Sequence, residues 1–138
     1  MKEKRNMHLR VQEMCDCFAT SDPLEEMNRM TDETGDEEES AVKWLALAVL
    51  HGINSGLKEI SISIDDEDKV RVKAEKRLPA PNPGTAKAIL AAVREVTHIE
   101  EDKGSLPVTL GIRDSSVELV FKVKTKEERD KVKIKFKG

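Results

Sequence analysis

His8, Cys15 and Cys17 are the residues of the first segment whose types could hold a metal ion. Structural zinc needs thiolates and imidazoles converging on one point, normally as two closely spaced pairs. On a helix His8 and Cys15 share a face, Cys17 points elsewhere, and no second pair follows. The pattern predicts a buried thiol and a surface thiol rather than a metal centre. A bridge between Cys15 and Cys17 would close a tiny strained loop and staple nothing. His51 and His98 fall at the ends of expected helices, where a partly charged imidazole suits the helix dipole. No Ser, Cys or carboxylate motif near them makes a nucleophile–base pair. The run Asp65-Asp66-Glu67-Asp68 lacks the spaced oxygens and the glycine of a calcium loop, so it reads as a solvated hairpin turn. Neither G-x-x-x-x-G-K-[ST] nor G-x-G-x-x-G occurs, which removes the usual phosphate loops. No catalytic, cofactor-binding or metal-binding residue is assigned. The expectation is a protein that is not an enzyme and carries no cofactor.

The lysines carry a clearer pattern. Lys122 and Lys124 alternate with Val123, and Lys131, Lys133, Lys135 and Lys137 alternate with Val132, Ile134 and Phe136. Alternation at period two puts the lysines on one face of a hairpin and the apolar residues on the other. Lys122, Lys124, Lys133 and Lys135 are the candidate anion-binding residues. A nucleic-acid platform needs aromatic rings between the charges. The chain has no Tyr, one Trp and three Phe, and Phe121 and Phe136 fall on the apolar side. Nucleic acid is therefore the alternative partner rather than the expected one. The plain reading is a solvent face whose lysines guard a sheet edge against aggregation.

The elements that position these residues follow from periodicity. Met7, Val11, Met14 and Phe18 recur at helical spacing, and Ser21-Asp22-Pro23 ends that helix. Asp22, Pro23 and Glu25 then form a cap, a first helical residue and a capping box for a short helix lined by Leu24, Met27 and Met30. Residues 31–40 are acidic and read as a linker or a helix start. The expected division is a helical N-terminal extension, 1–35, and a sheet domain, 36–138. From Ala41 to Leu50 only Lys43 is polar, so that helix is buried on more than one side, with Gly52 as its expected C-terminal cap. The period then changes to two at Ile60, Ile62 and Ile64, and again at Val70, Val72 and Ala74. A helix carries Ala86, Ile89, Leu90, Val93 and Val96. Three strands follow on Leu106 to Ile112, Val117 to Val123 and Val132 to Phe136. Residues 114–116 and 126–130 are the expected turns. The predicted fold is α+β, a mostly antiparallel five-stranded sheet with helices on one face and the order αββαβββ.

The apolar helix raises a question of cover. Val42, Leu45 and Val49 can face the strands, which leaves Trp44, Leu47 and Leu50 off that stripe. Met7, Val11, Met14 and Phe18 form a second stripe with no other obvious cover. Met7, Val11, Met14, Phe18, Trp44, Leu47 and Leu50 are therefore the expected partner-binding set. The two stripes meet within one chain, or across a self-association interface, with a dimer expected.

Charge is lopsided along the chain. Residues 1–40 hold 5 Lys/Arg against 12 Asp/Glu, a net −7, and residues 41–138 hold 19 against 15, a net +4. The whole carries −3, too little to imply a polyanionic partner. The longest apolar run, Trp44 to Leu50, is far short of a membrane span, and nothing reads as a signal peptide. A cytoplasmic location is expected, with no membrane insertion.

One family has a similar order of elements over residues 41–138. An apolar helix leads to Leu57-Lys58-Glu59-Ile60-Ser61-Ile62-Ser63, and Val70-Arg71-Val72-Lys73-Ala74-Glu75-Lys76-Arg77-Leu78 follows in register. This resembles the N-terminal, PAS-like domain of the ATPases that drive type II secretion and type IV pilus assembly. Ser61 and Ser63 stand where that family has a histidine and an acid. The ATPase module with its phosphate loop is missing. The resemblance implies a free-standing relative of a regulatory domain, with a PAS-like fold. It carries no catalytic residue and implies protein–protein contact.

Overall fold

Alternating apolar and polar residues build the sheet. In the computed structural model, which describes residues 7–18, 20–30, 37–75, 78–112, 115–126 and 129–136, five strands form: β1 Glu59–Ile64, β2 Val70–Ala74, β3 Lys103–Ile112, β4 Ser115–Lys126 and β5 Arg129–Phe136. All neighbours are antiparallel, in the order β2-β1-β5-β4-β3. β5, last in sequence, is central. Between β2 and β3 runs α4, Pro83–Thr97, while α1 Met7–Cys17, α2 Pro23–Met30 and α3 Glu37–Ser55 precede the sheet. The α+β class and the αββαβββ order follow the sequence reading.

The inward face of the sheet is apolar. Ile60, Ile62 and Ile64 of β1, Leu119, Phe121 and Val123 of β4, and Val132 and Ile134 of β5 are all buried. α3 and α4 pack side by side over this face, α1 and α2 pack on α3, and α1 also reaches α4 and the β3 edge. Gly52 is not the helix cap: α3 continues to Ser55. A Cβ at Gly52 would overlap the Phe136 ring, so this glycine lets α3 approach β5 closely. The cap position falls to Gly56, whose φ of 65° is left-handed.

Helical geometry puts Leu45, Ala48 and Val49 on the Gly52 side of α3, and Leu47 and Leu50 on the side away from the sheet. Leu47 and Leu50 are nonetheless buried, as is Trp44 at 1% exposure. Their cover comes from the first helices. Val11, Cys15, Met27 and Met30 belong to the same core as the strand residues, and the Cys15 thiol lies 4.0 Å from the Ala46 carbonyl. The segment read as an extension thus supplies part of the single core.

The ends of the elements match local chemistry. The Asp22 carboxylate accepts from the Leu24 and Glu25 amides at 3.1 and 3.3 Å, capping α2. Glu25 does not reciprocate as a capping box; it pairs with Arg29 at 2.8 Å. Asn82 caps α4 by accepting from the Thr85 amide at 2.8 Å, and His98 closes that helix in the left-handed region. His51 is not at a helix end. It sits a turn inside α3, buried, with its Nδ1 3.5 Å from the Ser55 hydroxyl.

Candidate functional site

The face of the sheet turned away from the helices carries the cations. β5 contributes Arg129, Lys131, Lys133 and Lys135, and β4 contributes Lys122, Lys124 and Lys126. Strand register brings them together in opposed pairs: Lys122 with Lys133, Lys124 with Lys131, and Lys126 with Arg129. Directly opposed side chains have Cβ atoms about 4.5–5.5 Å apart, where like charges destabilise the pairing. Arg71 and Lys73 of β2 extend the same face on one side, through their β1 partners Ser63 and Ser61. Lys103 extends it on the other, paired with Lys124. Row by row, Arg71, Ser63, Lys131, Lys124 and Lys103 cross the whole sheet.

The four candidate lysines of the sequence reading therefore share one surface. Lys103, Ser105, Lys122, Lys124, Lys131 and Lys133 border an open depression of about 430 Å³. The neighbouring Lys135 charge, aided by desolvation and by Lys133, holds Lys122 below the ordinary lysine range. Among the described residues, Glu59 relieves part of this charge: it lies 3.6 Å from Lys133 and faces Lys135 in register. Asp130 falls on the other side of β5, where it accepts from the Thr125 hydroxyl at 2.6 Å. Thr125 in turn receives a bond from Arg94 of α4.

The edge-guarding part of the plain explanation for the lysines fails on topology. β5 is the central strand and β4 lies between it and β3, so neither is an edge. The true edges are blunted by other means. β2 is only five residues long and carries Arg71 and Lys73. β3 carries Pro107, which has no donor, and Gln12 of α1 seals it further along. The Gln12 amide accepts from the Gly111 N–H at 2.6 Å and donates to the Gly111 carbonyl.

The apolar partner-binding set is placed differently. Val11, Trp44, Leu47 and Leu50 lie inside the folded chain, so the fold-back arrangement of the two stripes is the one adopted. Met14 and Phe18 are half-buried against the core, with the Lys43 ammonium 5.1 Å from the Phe18 ring centre. Met7 begins α1, and its side chain lies outside the described residues. The large exposed apolar residues among those described are Leu9 of α1 and Leu106 of β3.

The remaining candidates have structural positions. Cys15 is buried and its thiol is pushed up to about 12, first by burial and then by Asp16, while Cys17 is exposed. The side chain of His8 lies outside the described residues. Asp65 accepts from the Glu67 and Lys69 amides, which builds the β1–β2 turn and holds its carboxyl below the usual range. Among the described residues, no helix is long and apolar enough to cross a membrane. Sequence reasoning missed Lys126 and Arg129, which it placed in a turn, and also Arg71, Lys73 and Lys103. No known family model matches the chain, and no curated protein matches it.

Proposed function

We propose that this chain is a non-enzymatic protein-interaction module that docks an acidic segment of a partner protein on the open face of its sheet. The observation that carries the reading is the set of three opposed cation pairs along β4 and β5. A face that destabilises its own strands, away from any edge, is explained by an anionic occupant that relieves the repulsion. Trp44 and Leu47, expected in a partner contact, are instead enclosed within the chain, which favours the charged face over them as the docking surface.

An acidic protein segment fits better than nucleic acid. Among the described residues of the open face there is no aromatic ring on which a base could stack. The chain carries −3 overall, with a net −7 over residues 1–40. The resemblance to the PAS-like domain of secretion and pilus ATPases points to the same class of activity, contact between proteins.

The test is a titration of the intact chain with a labelled glutamate-rich peptide and, separately, with single-stranded DNA and RNA of equal charge, at two salt concentrations. Peptide binding that weakens with salt supports the reading. Nucleic acid that binds tighter than the peptide at physiological salt, with a steep salt slope, replaces it with the nucleic-acid reading.

A further inference from the structure

We infer that the partner segment is recognised in extended form, by acidic side chains at alternate positions that each drop between one opposed cation pair of β4 and β5. The inference rests on the acidic-partner reading above and adds a spacing rule to it.

The geometry is set by register. Lys122 faces Lys133, Lys124 faces Lys131 and Lys126 faces Arg129, at successive steps of two residues along the hairpin. An antiparallel strand rises about 3.4 Å per residue, so these pairs recur every 6.8 Å or so. A second extended chain lying along the hairpin has the same rise. Its alternate side chains point to one face at the same spacing. Three carboxylates in the pattern acid–any–acid–any–acid therefore stand opposite three cation pairs at once. Consecutive acids put every second carboxylate on the wrong side, facing water.

Each pair suits one carboxylate. The ammonium groups approach from two strands about 4.8 Å apart, so one anion between them meets both charges. The intervening residues of the hairpin, Val123, Thr125 and Val132 among them, turn to the helix side, and Asp130 is engaged there by Thr125. Among the described residues, no carboxylate falls between these three cation pairs on the open face; Glu118 shares that face of β4 but lies beyond Val120. Lysine ammonium groups are compact and rotatable, which favours recognition by position of charge over recognition by a fixed fork.

The experiment compares labelled peptides of equal length and composition against the intact chain at low salt. One has three glutamates at alternate positions, one has the three consecutive, and one spaces them four apart as a helix would. Alternate spacing should bind roughly tenfold tighter than consecutive spacing, because the latter gives up a well-placed pair contact. Lys124→Gln with Lys131→Gln should abolish the penalty for changing the middle glutamate to glutamine while leaving the flanking ones sensitive. Equal affinity for the alternate and consecutive peptides overturns the spacing rule and leaves the acidic-partner reading standing. Preference for the helical spacing also overturns it. Failure of all three peptides to bind overturns both.

Discussion

Lys131→Glu should stabilise the fold while destroying partner binding. Lys131 faces Lys124 on β4 and Ser63 on β1, so no acid adjoins it directly in the register. The change turns one opposed like-charge pair into an ion pair. Removing the repulsion and gaining the attraction are each worth about 0.2–1 kcal/mol for cross-strand neighbours. Lys131 is half-buried and Lys124 exposed, so water screens part of this and the sum is about 1 kcal/mol. For a chain of this size that raises the melting temperature by roughly 3–5 °C. Lys131→Gln should give about half the gain, since it removes repulsion without adding attraction. The assay is thermal unfolding by circular dichroism at low salt and again at about 1 M, where the screening length is near 3 Å and the difference should vanish. A lower or unchanged melting temperature for Lys131→Glu at low salt would refute the claim that this face works against its own stability. Lys133 is the wrong site for the same test, because a carboxylate there would adjoin Glu59.

Trp44→Ala should cost about 3–5 kcal/mol, read by denaturant unfolding, because the side chain is fully enclosed. Trp44→Phe should cost much less, since it also removes a buried indole N–H that has no acceptor in the structure. Gly52→Val should destabilise the fold by forcing α3 off Phe136, and Phe136→Ala in the same chain should recover part of the loss; full additivity of the two changes would contradict the close approach. A thiol titration at pH 8 should label Cys17 rapidly and Cys15 only on unfolding. The raised Cys15 value means that the folded chain holds its thiol proton longer than the unfolded chain, so this residue's contribution to stability is complete below about pH 9 and declines as pH rises towards 12. Unfolding curves collected across that range check the sign.

Much of this architecture is legible in the residues because period and burial share a cause. The alternation from Ile60 to Ile64 and from Val132 to Phe136 names both the strands and their inward faces. Neighbour order is not written in the same way. Alternation says which way Lys133 points, but not that β5 slots between β1 and β4, and that placement separates edge protection from a functional face. The third cation pair was hidden by its turn. Lys126 continues the rhythm of Lys122 and Lys124, yet the charged stretch that follows reads as loop, whereas β4 runs to Lys126 and β5 resumes at Arg129. Gly52 is ambiguous for a related reason. A glycine late in an apolar helix suits a cap and a close packing contact equally, and only the position of Phe136 decides between them. The fate of Trp44 was legible as a need for cover, with the source of the cover left to tertiary structure.

The central position of β5 has a consequence in time. The hairpins β1–β2 and β3–β4 are complete before it in sequence, but neither pairs with the other except through it. While the chain is being synthesised, β1 and β4 each wait with one unpaired side until residues 129–136 have left the ribosome. The first helices wait too, since Gln12 must reach Gly111, 99 residues onward. Folding is therefore weighted towards distant contacts and comes late, the arrangement that makes domains slow to fold and dependent on protection of nascent chains. A ribosome stalled shortly after residue 126 should display a protease-sensitive chain, and one stalled with 136 fully emerged a resistant one.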